Sequence, residues 1–116
     1  LWIERKSKII NNLNKKFGPL KCKAFPGRAS ILIKLLNLNN KNISSIYEKP
    51  GSMKIGNFAP NTKIPIKSDL DLFKKILEIK VILNLAWHIP KEIKSYLRKN
   101  KFKGKIINII DQKDFI

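Results

Sequence analysis

The chain has 116 residues, 43% hydrophobic and 28% charged, with 25 Lys+Arg against 8 Asp+Glu for a net charge of +17. That length suits one globular domain around a single core, no stretch approaches the roughly 20 uncharged apolar residues that span a bilayer, and Leu1-Trp2-Ile3-Glu4-Arg5-Lys6 opens no signal-peptide core; a cytoplasmic protein away from membranes is expected. One cysteine and one histidine exclude an intrachain disulfide and leave no ligand set for a structural metal.

Ile3, Ile9, Ile10, Leu13 and Phe17 recur at three- and four-residue spacing up to Gly18-Pro19, which predicts an amphipathic helix with a basic opposite face, stopped by a Gly/Pro pair. Leu20 to Phe25 follows as a short strand in which Leu20, Cys22 and Ala24 alternate with Lys21 and Lys23. Cys22, in mid-strand, reads as an inert buried thiol. From Ala29, the residues Ile31, Leu32, Leu35 and Leu36 return to helical spacing, and Asn37 to Asn42 is a turn cluster. Ile43 to Tyr47 is a second, β-branched strand.

Lys49 to Ile66 carries Pro50, Gly51, Gly56, Pro60 and Pro65, too many breakers for a helix, and long loops in compact domains commonly carry function. Ser68 reads as an N-cap, with Asp69 and Asp71 in the first turn of a helix to about Ile79. Lys80 to Ala86 is the most apolar segment and short, as in a strand buried on both faces of a parallel sheet. Pro90 opens another helix with Ile93, Tyr96 and Leu97 inward, and Lys105 to Ile110 closes with a strand.

Strands alternating with helices imply βαβ units: a small α/β, Rossmann-like, three-layer domain spanning residues 1–116, with a mainly parallel sheet of about four strands. Ligands of such sheets sit beyond the carboxyl ends of the strands. Those ends are the Phe25–Ser30 loop, Glu48 with the long loop, and Trp87-His88.

The first loop joins a strand to a helix N-terminus, where free N–H groups and the dipole favour anions; Gly27 opens the backbone and Arg28 adds charge. It is neither G-x-G-x-x-G nor a P-loop, so a plain βα turn is the other reading. Glu48 stands where nucleotide-binding folds place a carboxylate on a ribose or sugar hydroxyl, or it pairs with a neighbouring lysine. His88 is the one imidazole in the chain, the side chain most often used for proton transfer, but with no partner visible in the sequence it is only a weak candidate for acid/base catalysis. Trp87 could stack on a base or sugar, or pack in the core.

The long loop adds a resemblance. From Glu48, the residues Lys54, Gly56, Pro60, Thr62, Ile64, Pro65 and Ile66 match an acidic residue after a strand, then K-x-G, then P-G-T-x-I-P-I, and this resembles the C-terminal domain of SAM-dependent sugar C-methyltransferases. Leu85-Ala86-Trp87-His88-Ile89-Pro90-Lys91-Glu92-Ile93 and Phe102-Lys103-Gly104-Lys105-Ile106-Ile107 are similar to the family's later strand–helix and glycine–strand segments. The ordered matches run from about Phe17 to Ile110. Where the family has a G-A-x-x-K-G loop this chain has Ala24-Phe25-Pro26-Gly27-Arg28-Ala29, and Asn61 replaces the glycine of P-G-T.

The resemblance implies a substrate-side module that closes over a nucleotide-sugar, in which Arg28, Glu48, Lys54 and Trp87 face the ligand, with Pro26, Gly27, Ser30, Thr62 and His88 around them. It also implies that S-adenosylmethionine, zinc and the proton-abstracting residues belong to other regions, in the same chain or a partner chain, and that no cofactor is bound here. That Leu1 is not Met suggests a piece of a longer protein.

The alternative is a basic nucleic-acid-binding module, raised by the charge and by the lysine-rich stretches Arg5 to Lys16 and Lys91 to Lys105. Against it, 22 Lys, 20 Ile and 12 Asn are what AT-rich codons supply. Arg, the preferred residue for bidentate phosphate and guanine contacts, occurs three times.

Overall fold

A computed structural model describes residues 2–111. The elements, in chain order, are α1 (Trp2–Phe17), β1 (Leu20–Lys23), α2 (Ala29–Leu35), β2 (Ile43–Glu48), β3 (Ile66–Ser68), α3 (Asp69–Lys74), a 3₁₀ turn (Ile76–Glu78), β4 (Val81–Asn84), α4 (Pro90–Lys99) and β5 (Lys105–Asn108). The strands form one sheet in the order β3-β2-β1-β4-β5, and every pairing is parallel. The Rossmann-like, three-layer expectation holds. The fifth strand is β3, three residues long and following Pro65, too short to show a period.

Two cores flank the sheet. Ile10, Leu20, Cys22, Leu32, Ile33, Ile43 and Leu83 fill the side under α1 and α2. Tyr47, Leu72, Ile76, Ile82, Ile93, Leu97 and Phe102 fill the side under α3 and α4. Val81 to Ala86 is buried throughout, as a central parallel strand requires. Burial pushes the Cys22 thiol far up, in keeping with an inert buried group.

Local chemistry ends the helices as their last residues dictate. Gly18 takes φ +78° and returns its N–H to the Asn14 carbonyl, so the Gly/Pro stop holds. After α2, Asn37 adopts φ 53° and the N–H groups of Asn37 and Leu38 reach the Lys34 and Ile33 carbonyls, a Schellman closure. Lys101 closes α4 in the same way with φ 76°, passing its N–H to Arg98 and that of Phe102 to Leu97. Ser68 caps α3 by accepting from the Leu70 N–H. The helix stops at Lys74 rather than near Ile79, because the tighter 3₁₀ turn keeps both Leu72 and Ile76 buried over the short path into β4.

Two faces differ from the expected pattern. On α1 the inward stripe is Trp2, Lys6, Ile10 and Leu13, whereas Ile3, Ile9 and Phe17 stay partly exposed. Lys6 is buried because its Nζ donates to the Asn108 carbonyl at 2.8 Å and lies 3.9 Å from Asp111, and Trp2 Nε1 donates to the Ile109 carbonyl. These bonds fasten α1 to the end of β5. On β1 the alternation fails at Lys23, which is 2% exposed, since a strand between β2 and β4 has helices over both faces.

The long loop is a built structure. The Gly56 N–H donates to the Ile66 carbonyl, the Ile66 N–H donates to the Asn57 carbonyl, and Phe58 bridges Pro65, so the loop covers the outer edge of β3 and blunts it against strand addition. Asn61 takes φ 61°, the left-handed conformation that asparagine tolerates better than most residues, so the turn stands without glycine.

Candidate functional site

In the order β3-β2-β1-β4-β5 the chain direction of assembly reverses between β1 and β4. Ligands of open α/β sheets bind at that switch point, beyond the carboxyl ends. A cleft of about 450 Å³ lies there, lined by Pro26, Gly27, Arg28, Trp87 and His88. The structure thus brings together residues 26–28 and 87–88 from two separate loops.

The β1 side of the cleft is held from below. Ala24 donates its N–H to the Tyr47 carbonyl and turns through φ 70°, in the position where the resembled family has glycine. Phe25 is then gripped at both ends of its backbone: its N–H donates to Glu48 Oε2 at 2.8 Å, and its carbonyl accepts from Lys54 Nζ. Glu48 Oε1 also accepts from Ser52 Oγ at 3.0 Å and lies 3.8 Å from Lys54 Nζ. Both Glu48 and Lys54 therefore brace the wall of the cleft from behind.

Next comes the turn into α2. The Ala29 N–H returns to the Pro26 carbonyl and Ser30 Oγ donates to the Gly27 carbonyl. Gly27 has an ordinary φ, and a Cβ there would meet nothing, so local sterics do not demand glycine. Arg28 is exposed at the N-cap of α2 and makes no side-chain capping bond. Ala29, the second departure from the family glycines, is fully buried at the start of α2, where its methyl fills core space.

On the β4 side, Asn84 is buried and locks the strand end: Oδ1 accepts from the Ala86 N–H, while Nδ2 donates to the Ala86 carbonyl and to Asn108 Oδ1. Trp87 is half-buried and packs against the α1/α2 core. His88 is exposed with its ring 5.6 Å from that of Trp87, edge to face. The indole edge and imidazole thus form an aromatic wall opposite Arg28.

Ser30 and Thr62 fall elsewhere. With Ile31, Asn37, Pro60 and Asn61 they line a separate cavity of about 500 Å³ on the other flank of α2. Thr62 Oγ1 donates to the Ala59 carbonyl and accepts from the Ile64 N–H, a turn-forming role.

A polar cluster that the sequence pattern does not reveal lies at the carboxyl end of β1. Lys23 Nζ donates to Asp69 Oδ2 at 2.7 Å with both side chains buried, and Tyr96 Oη donates to the same oxygen at 2.7 Å. Lys23 also sits 5.0 Å from the Tyr96 ring centroid. Burial, the hydrogen bond to Asp69 and its negative charge together hold the Tyr96 phenol well above its usual range. The one available signal is a charged residue in a strand that must be central; such a charge needs a buried partner.

Ala24 yields a direct test of backbone strain. A left-handed L-residue costs roughly 1–2 kcal/mol, so Ala24→Gly is expected to raise unfolding stability by about 1 kcal/mol, partly offset by glycine's greater unfolded-state entropy. Chemical denaturation of both proteins measures it, and a loss of stability would show that the Ala24 methyl contributes more than its backbone costs.

The family model described as the C-methyltransferase C-terminal domain matches residues 9–110. No curated protein matches the chain significantly. No helix among the described residues is long and apolar enough to cross a membrane.

Proposed function

From the premise that this chain belongs to the C-methyltransferase C-terminal domain family, we propose that it forms the substrate-side wall of a SAM-dependent C-methyltransferase acting on a nucleotide-linked keto-deoxy sugar. The observation that carries this reading is the switch-point cleft, in which an arginine on one loop faces a tryptophan–histidine pair on the other. Arg28 offers a guanidinium fork suited to a phosphoryl group. Trp87 presents an aromatic edge to a sugar or base, and His88 adds a donor or acceptor for a hydroxyl.

The same geometry fits S-adenosylmethionine poorly. Gly27 is the only glycine of the β1–α2 turn, and Glu48, placed to receive a ribose hydroxyl, is occupied by the Phe25 N–H and Ser52. The methyl donor is accordingly assigned to a separate SAM-binding domain, in the same or a partner chain, and the proton-abstracting base with it. This domain's share of catalysis is to orient the sugar and exclude water as the two domains close.

Titration calorimetry with a panel of nucleoside-diphosphate sugars tests the proposal. Binding that persists at raised salt is expected, and Arg28→Ala should weaken it about ten-fold or more, the worth of a hydrogen bond to a charged group. Unchanged affinity in that variant would remove Arg28 from the site, and no binding by any sugar nucleotide, alone or with the SAM-binding domain present, would overturn the reading.

A further inference from the structure

A second groove, of about 370 Å³, runs between α4 and the edge strand β5. Its lining is Pro90, Lys91, Lys94, Arg98, Lys105, Ile106 and Asn108, four cations and no carboxylate. Lys91, Lys94 and Arg98 stand at three- and four-residue spacing on one face of α4, where like charges destabilise a helix. Among the described residues no acidic group forms an ion pair with Lys91, Lys94 or Lys105. The fold thus keeps an uncompensated positive concavity.

Arg98 separates this groove from a chance crowd of lysines. AT-rich coding favours lysine over arginine, and the chain has three arginines in all. Its Nη1 donates to the Phe102 and Gly104 carbonyls at 2.9 and 2.8 Å, and the guanidinium lies 5.4 Å from the Phe102 ring centroid. A guanidinium so fixed has lost its rotamer freedom in advance. Its Nε and Nη2 have no partner among the described residues, which leaves a pre-oriented fork available for oxygen acceptors.

We propose that the α4–β5 groove is a second anion site, separate from the switch-point cleft, that binds a compact oligophosphate of the pyrophosphate type. One fixed fork with three mobile ammonium groups around a single concavity matches a small multiply charged anion, whose several oxygens can be shared among them. A nucleic-acid backbone, by contrast, is met by cations strung along a track. The inference stands independently of the sugar-nucleotide reading.

Calorimetry of the intact chain with inorganic pyrophosphate, with a 12-nucleotide oligothymidylate as competitor, tests it. The expected result is saturable pyrophosphate binding that falls at least ten-fold in Lys94→Glu and in Lys105→Glu. Both are exposed positions, so thermal melting of each variant verifies that the fold is retained. Arg98→Lys, which keeps the charge but not the fork, should lose affinity as well, and the losses in these groove variants should be as large in an Arg28→Ala background. Binding lost in Arg28→Ala but unaffected by Lys94→Glu would move the anion to the cleft and overturn the proposal. So would oligothymidylate binding far tighter than pyrophosphate with a steep salt dependence, or no pyrophosphate binding at all.

Discussion

Asp69→Ala is expected to lower the unfolding free energy by about 3–5 kcal/mol, the usual cost of stranding one member of a buried ion pair. Asp69 is fully buried and Lys23 is 2% exposed, so the substitution leaves an ammonium with only the Tyr47 carbonyl at 3.4 Å and the Tyr96 ring beside it. Tyr96 loses its acceptor at the same time. Since a domain of this size is stable by about 5–15 kcal/mol, the melting temperature should drop by on the order of 10 °C or more. Guanidinium unfolding of the variant measures the loss, and a change below about 1 kcal/mol would show that the pair is solvated.

Asp69→Ala alone does not give the pair's net worth. Replacing both charges removes their desolvation cost together with their attraction, so Lys23→Met combined with Asp69→Leu and Tyr96→Phe should recover most of the stability. One acceptor atom, Asp69 Oδ1, is buried with no partner among the described residues, and this lowers the net benefit further. What the pair does secure is position. It ties the carboxyl end of β1, five residues before Arg28, to the start of α3 and to α4.

The same residues show why the fold is legible in the sequence and the site only partly so. Periodicity reports which side of a helix or strand is apolar, and it finds β4, whose every residue is buried, and α4, whose Ile93 and Leu97 face inward. It fails at Lys23 and Lys6, because a long cationic side chain counts as outward until its buried acceptor is known, and both acceptors lie far along the chain. It fails at β3 because three residues cannot display a period of two. The switch-point cleft follows from strand order alone, so Arg28, Trp87 and His88 fall where chain order predicts. Glu48 ends β2 and Lys54 lies in the long loop, but both hold the backbone of Phe25, a use that no spacing in the sequence encodes. Ser30, two residues after Arg28, and Thr62, in the long loop, line a cavity on the other flank of α2 instead.

Gly104→Ala should be nearly as damaging as loss of Asp69, by a different route. Gly104 has no left-handed φ to maintain; the constraint is space. A Cβ at this position would press inside van der Waals contact of the Lys80 carbonyl oxygen and lie 2.7 Å from both the Lys80 carbonyl carbon and Phe102 Cζ. The main obstacle is backbone, which cannot swing aside as a side chain does. Relief requires β5 to move away from β4, and the first bond to weaken is Lys105 N–H to the Lys80 carbonyl, at 2.8 Å. Arg98 would then lose its hold on the Gly104 carbonyl, and Phe102, 1% exposed, would be forced to repack. Overpacking of a well-filled core costs about 1–3 kcal/mol and occasionally more, and the coupled loss of these bonds places this substitution at the upper end. Hydrogen exchange distinguishes the mechanism from general unfolding: protection should collapse first at Lys105 and along β5, with β1 and β2 keeping theirs. Uniform loss across the sheet would mean that the strand edge and the core yield as one unit.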